Sequence, residues 1–379
     1  MRYLFEILLF CLVACSFTTP SATSASDISE TLSCDNDRLT DFNKLLILAP
    51  HPDDEVLGFA GLADAFINQG KEVETWIVTD GDGYCDACVL WNGGSMKGAT
   101  CDALTLSNLA TPEVDSFAET RRLESSNAAL ALGRPAPGFL GYPDTGIAAA
   151  WSNLQAGNAQ NALRRSDFSM CTDCNSCGEG YGGGPETDLS AASLKQVLSR
   201  LLAETDKRTL IATTHPLDSH GDHGGLGKLV MELAREMEDL RTIAYSVIHA
   251  HTSNGAAFPD CWYPQPAAAE CPCYFEDRAD ADPEWLLAQR EQRLKPDWPQ
   301  HLPGDADYGE PLYLCLREEL YGGAEPLKLA AINEYSSQMG TAGRHEGLLP
   351  DARSGLTDCN GYLLSFVRRN EVFVLRTTR

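Results

Sequence analysis

The chain has 379 residues, 43% hydrophobic and 22% charged, with a formal net charge of -25. That length and apolar content support one large core, read as a single catalytic domain with elaborated loops rather than two equal domains. The charge argues against nucleic-acid partners and polyanionic substrates, whose phosphates call for a basic surface, and says little about neutral sugars.

At the amino terminus, Ile7 to Ala14 is an apolar stretch following Arg2, too short to cross a bilayer and of the right length for a secretory signal core. Two readings stand side by side. Residues 1–25 can be a signal peptide cleaved near Ala25-Ser26; alternatively Leu12-Val13-Ala14-Cys15-Ser16 is a lipobox, with residues 1–14 removed and Cys15 acylated. Both place the mature chain outside the cytoplasm, secreted, periplasmic or on the cell surface, without a transmembrane helix. Residues 26–42 then read as a flexible leader.

The domain from residue 43 onward begins with the apolar run Leu45 to Ala49, a strand, which ends in Pro50-His51-Pro52-Asp53-Asp54-Glu55. An imidazole and two adjacent carboxylates at the C-terminal edge of a buried strand can hold a zinc ion and set a second carboxylate over its bound water. The alternative is that Asp53 and Asp54 only cap the helix expected over 54–69. A second strand over 73–79 runs into Asp80-Gly81-Asp82-Gly83, which superficially suggests a calcium loop but lacks the later ligands at the required spacing.

Further along, a helix is expected over 116–132, a strand over 137–142, a helix over 188–205 and a strand over 208–214. This last strand leads into Thr213-Thr214-His215-Pro216-Leu217-Asp218-Ser219-His220-Gly221-Asp222-His223, which gathers three of the eight histidines before a helix over 223–238. A strand over 242–250 carries His249, which alternates with His251 and is read with it as a satisfied polar pair rather than a second metal site. Alternating strands and helices imply an α/β, Rossmann-like fold with a mostly parallel sheet and helices on both faces. Such a sheet brings both histidine clusters to one edge, where open α/β sheets bind ligands.

Insertions near 84–115, 145–187 and 252–320 carry most of the cysteines and should form a stapled rim over the site. Apart from Cys11 and Cys15, the cysteines are Cys34, Cys85, Cys88, Cys101, Cys171, Cys174, Cys177, Cys261, Cys271, Cys273, Cys315 and Cys359. In an exported chain this even dozen suggests disulfides. Cys85-x-x-Cys88 and Cys171-x-x-Cys174-x-x-Cys177 would also suit a structural zinc. The pairing does not follow from the sequence.

Taken together, Pro50-His51-Pro52-Asp53-Asp54-Glu55 and His220-Gly221-Asp222-His223 resemble the marks of the PIG-L (LmbE-like) family of zinc-dependent de-N-acetylases. Val78 to Gly83, Arg121-Arg122-Leu123-Glu124, Phe139 to Asp144, Lys328 to Ile332, Tyr335 to Gln338 and Arg368 to Phe373 also resemble the family, so the likeness spans residues 43–379. The resemblance implies His51, Asp54 and His223 as zinc ligands and Asp53 as the general base. It implies that His220 donates to the oxyanion or leaving nitrogen, with Asp222 holding its ring protonated, and that Arg121 and Asp144 contact sugar hydroxyls. His215 has no matching metal role and is read as packing at the strand end. The expected function is therefore an exported zinc hydrolase that removes the acetyl group from an N-acetylglucosamine-type substrate. The same site would also serve an amidase acting on another N-acylated small molecule or conjugate. A carbohydrate-binding surface lipoprotein without turnover is the reading from outside the enzymes.

Overall fold

The computed structural model describes residues 34–81, 114–163, 189–218, 220–249, 309–322, 326–335, 366 and 370–378. The expected signal segment, His251 and ten of the twelve cysteines other than Cys11 and Cys15 lie outside these residues. In chain order the elements are β1 (Lys44–Ala49), α1 (Asp54–Leu57), α2 (Ala60–Asn68), β2 (Glu72–Thr79), α3 (Val114–Ala131), β3 (Gly138–Tyr142), α4 (Gly146–Gln155) and α5 (Ala191–Ala203). They continue with β4 (Thr209–Thr214), α6 (Gly221–Arg235), β5 (Thr242–Ser246), β6 (Glu310–Cys315), α7 (Glu318–Tyr321), α8 (Leu327–Asn333) and β7 (Asn370–Thr377).

One seven-stranded sheet has the order β3-β2-β1-β4-β5-β7-β6. The pairs β1·β2, β1·β4, β2·β3 and β4·β5 are all parallel, so the expected parallel sheet is present over five strands. Beyond them β7 runs antiparallel to β5, and β6 antiparallel to β7. Strand β1 shows why the central run is continuously apolar. Leu46 and Leu48 face one core with Ile211, Leu226, Leu229 and Leu233, while Leu45 and Ile47 face another with Phe59, Leu62, Phe66 and Phe373. A strand covered by helices on both sides has no face for polar residues.

Helices follow from their own sequences. In α6, Leu226, Leu229, Val230 and Leu233 recur at helical spacing and are all buried. Helix α5 begins in a capping box: Ser193 N donates to Ser190 Oγ at 3.1 Å and Ser190 N to Ser193 Oγ at 2.9 Å. The helix expected over 54–69 is instead two helices, interrupted at Gly58-Phe59. The second receives its own cap, because both Glu371 oxygens accept from Gly61 N at 3.1 Å. Buried Lys328 neutralises that carboxylate at 2.6 Å and donates to Leu57 O at 2.9 Å, so α8 and β7 are tied to the helices that follow the first histidine motif.

Two expected insertions are shorter than the sequence suggested. Residues 146–155 form α4, packed on α5 and α6, because Ile147 and Ala150 belong to the main core. The segment expected to be loop through 320 includes β6, whose Leu312 and Leu314 alternate into the second core.

As the edge strand, β6 would expose unpaired amides. Those of Tyr313 and Cys315 donate instead to Asp35 Oδ2 at 2.9 Å and Asn36 Oδ1 at 3.1 Å, and the disulfide Cys34–Cys315 locks this cover in place. Cys34→Ser should therefore lower stability by about 2–4 kcal/mol while leaving metal content unchanged. Thermal denaturation under non-reducing conditions checks this, and an unchanged melting temperature would contradict it.

Candidate metal centre

The strand order reverses between β1 and β4: β1 leads outward to β2 and β3, β4 to β5. In an open α/β sheet the crevice beyond the C-terminal ends at such a point is where ligands bind. His51, Asp53 and Asp54 follow β1, Asp144 follows β3, Asp218, His220, Asp222 and His223 follow β4, and His249 follows β5. Gly227 allows α6 to approach closely enough to deliver its first turn. A Cβ there would lie 2.4 Å from Thr214 O and 2.8 Å from Pro216 N.

Three atoms converge. His51 Nδ1 is 3.1 Å from Asp54 Oδ2, His223 Nε2 is 3.2 Å from His51 Nδ1, and His223 Nε2 is 3.2 Å from Asp54 Oδ2. Donors held about 2.0–2.1 Å from a tetrahedral zinc would be about 3.3 Å apart, so this near-equilateral triangle fits three corners of such a site. All three residues are buried.

The other face of His51 carries the orienting contacts. Its Nε2 is 3.1 Å from Asp144 Oδ1 and 3.3 Å from Asp222 Oδ2. Asp222 Oδ1 in turn accepts from Ala148 N at 2.9 Å. A carboxylate on the far nitrogen of a ligating imidazole fixes its tautomer and raises its basicity. Asp144, expected on a sugar, and Asp222, expected on His220, are thus both turned to His51.

Asp218 Oδ2 faces His223 from the far side, 3.5 Å from Nδ1 and beyond a formed hydrogen bond, and Asp218 accepts from the backbone amides of His220, Ile248 and His249 at 3.0, 2.9 and 3.0 Å. Sequence reading missed Asp218, although its place between His215 and His220 was a signal. It also missed His249. The His249 ring packs 4.6 Å from His223 and 5.2 Å from His220, while its expected partner His251 lies outside the described residues. His249 can share a cation with Asp54 and His223, as can His220 with His51 and His223. His215 is fully buried against Tyr245, in line with a packing role.

Asp53 stands beside the triangle. Its φ is 127°, a conformation unusual for a side-chain-bearing residue that costs about 1–3 kcal/mol and is held by its surroundings. Arg121, expected on sugar hydroxyls, is 3% exposed and is part of that hold. It donates to Gly81 O, to Pro52 O and to Asp53 Oδ2, the last at 3.2 Å.

Charge follows from these contacts. Burial opposes a proton on His51, but Asp144, Asp222 and Asp54 outweigh it and hold the ring well above the usual imidazole value. For His223 burial is likewise outweighed, by Asp54 and Asp218, and its pKa is pushed up to about 9. In the metal-free site, burial and the flanking rings of His223 and His51 bring His220 down to about 4, against the pull of Asp144 and Asp222. Asp53 is pushed up to about 8, chiefly by burial and with help from Asp54 and Glu55, against Arg121 and His51.

Residues 46–234 match the PIG-L family, described as GlcNAc-PI de-N-acetylase. Among solved structures, N,N'-diacetylchitobiose deacetylase from Pyrococcus horikoshii is 18% identical over 55% of this chain, with a TM-score of 0.31, and the match spans 61% of that protein's length. A deacetylase triple mutant of the teicoplanin biosynthetic pathway is 14% identical over 88% of this chain and 98% of its own, with a TM-score of 0.44. The A40926 pseudoaglycone deacetylase Dbv21 is 16% identical over 88% and 97%, with a TM-score of 0.40. No curated protein sequence matches the chain.

Metal ligands must be unprotonated, and in the metal-free site both imidazoles carry protons near neutral pH because their pKa values are raised. Metal binding therefore releases protons, and affinity falls as the pH drops below about 9. Calorimetric titration of metal-free protein with zinc, at pH 7 in buffers of different ionisation enthalpy, should show release of more than one proton per ion. Binding without proton release would contradict this charge state.

Proposed function

Because residues 46–234 place this chain in the PIG-L (GlcNAc-PI de-N-acetylase) family, we propose that it is a zinc-dependent hydrolase that removes the acetyl group from an N-acetylglucosamine-type sugar outside the cytoplasm. The observation that carries this reading is the triangle of His51, Asp54 and His223 with the Asp53 carboxylate beside it. Three protein ligands leave a fourth metal position open, as hydrolysis requires and a structural site does not. A bound zinc ion would supply Lewis acidity toward the attacking water and the amide carbonyl.

The remaining work falls to the chain's own groups. Arg121 holds Asp53 Oδ2, so Oδ1 is the atom free to take the proton of the attacking water. Asp53 would then pass that proton to the departing nitrogen, a transfer that amides need because an unprotonated amine anion leaves poorly. His220, whose ring stands 4.9 Å from those of both His51 and His223, would donate an N–H to the oxygen on which charge develops, the oxyanion half of its expected role. Asp144 and Asp222 keep the His51 ring aimed. The signal-like amino terminus and the Cys34–Cys315 bridge support export, since structural disulfides belong to oxidising compartments.

Asp53→Asn should keep one zinc per chain and lose about 10²–10⁴-fold in turnover, since an amide cannot accept the proton. Acetate release from N-acetylglucosamine and its short oligomers, measured beside zinc content, tests this. Near-normal turnover in the variant would remove Asp53 as the base, and an absence of acetate from every such sugar with the unaltered protein would remove the substrate class.

A further inference from the structure

Glu55 is buried, lies within two residues of Asp53 and plays no part in the metal triangle. Its carboxylate is nonetheless fully engaged. Oε2 accepts from Asp53 N at 2.9 Å, while Oε1 accepts from Tyr335 OH at 2.5 Å and from Ser125 Oγ. Ser125 comes from α3 and Tyr335 from the turn after α8, both fully buried, so two elements distant in sequence meet at one carboxylate. From that carboxylate the contact toward the site is the amide of the residue with φ of 127°.

We infer that Glu55, fixed by Tyr335 and Ser125, is a positioning residue that holds Asp53 in its unusual backbone conformation and so aims the base. The conformation is over-determined from two sides. Buried Arg121, from α3, grips Pro52 O and Asp53 Oδ2, and Glu55 grips the Asp53 amide. An N–H with φ near 127° has no helical or strand partner to return to, so removing its acceptor frees the residue to rotate to an ordinary conformation. The carboxylate then leaves its place beside the triangle, and misplacement of a reacting group by about 1 Å can cost on the order of 10²-fold in rate. Tyr335 reaches this network from the C-terminal part of the chain, packed among Val56, Ala128, Leu329 and Ile332, which makes base geometry depend on the docking of that part. The tyrosine hydroxyl is therefore a component of the site although it touches neither ligand nor base.

The inference rests on Asp53 acting as the base, and two separate readouts keep the ideas apart. Tyr335→Phe, Glu55→Ala and Glu55→Gln are made in the full chain. For each, zinc content, kcat and KM for acetate release from N-acetylglucosamine oligomers, and amide hydrogen exchange of the peptide around Asp53 in the metal-free protein are measured. Tyr335→Phe should keep one zinc, lower kcat about 10-fold with KM within about twofold, and speed exchange at Asp53. Glu55→Ala should lose about 10²-fold in kcat, whereas Glu55→Gln, which retains an oxygen for the Asp53 amide and a donor for the hydroxyls, should recover to within about 10-fold of the unaltered chain. Tyr335→Phe removes a hydroxyl without apolar surface, so it decides the matter even if Glu55→Ala does not fold. Unchanged exchange and kcat in Tyr335→Phe, a rise in KM in place of the fall in kcat, or a Glu55→Gln variant as impaired as Glu55→Ala would overturn the inference. If the unaltered chain releases no acetate, the hydrolase reading fails while the exchange measurement still decides the brace.

Discussion

Everything at the candidate site depends on bringing one carboxylate oxygen and two imidazole nitrogens within 3.2 Å of one another in a buried place. Without a cation or protons between them, these atoms have no reason to approach so closely. The fold makes the approach possible by pairing β1 with β4 in parallel at the point where strand order reverses, so that two loops leave the sheet side by side and in the same direction. The first loop delivers His51 and Asp54 and the second His223. Gly227 lets the helix of the second loop lie against its own strand.

Burial makes the surrounding carboxylates necessary. A buried cation site surrounded only by apolar side chains would be costly, and each imidazole needs an acceptor on its far nitrogen to point correctly. Asp144 and Asp222 serve His51, and Asp218 faces His223 at 3.5 Å while gathering three backbone amides from the β4 and β5 loops. Behind them, the Lys328–Glu371 pair anchors the start of α2, and Glu55 with Tyr335 reaches the loop of the first histidine. The C-terminal strand and helix thus act on the site through the backbone of the segment 51–61 rather than by direct contact.

Much of this was legible in the sequence because the chemistry is local there. His51, Asp53 and Asp54 lie within four positions, and His220, Asp222 and His223 within another four, each after an apolar run that could only be a buried strand. The five parallel strands could be placed because strand and helix signals alternate along the chain, although β2, with Glu72, Glu74 and Thr75, lacks the continuous apolar character of β1. What sequence could not show is which way a polar side chain turns. Arg121 and Asp144 read as groups for a sugar, yet the first grips the loop of Asp53 and the second His51. Asp222 sits two residues from His220 in sequence, but it is the first residue after Gly221 in α6, and from there its carboxylate meets His51 across the crevice. His249 shares no segment with the other histidines and joins them through the β4·β5 pairing. Strands β6 and β7 lie beyond the parallel set and close the sheet by antiparallel pairing over long sequence distances, so alternation alone marked them weakly. The partner of Cys34 was likewise invisible until β6 was placed at the sheet edge.

X-ray absorption of the zinc-loaded full chain tests the central claim most directly. An open centre built on His51, Asp54 and His223 predicts a first shell of four nitrogen and oxygen neighbours at about 2.0–2.1 Å, with the outer-shell signature of two imidazoles and no sulfur. Sulfur neighbours at about 2.3 Å would move the metal to the cysteines, and a shell with three or more imidazoles would bring His220 or His249 into a different site. Either result would contradict the account.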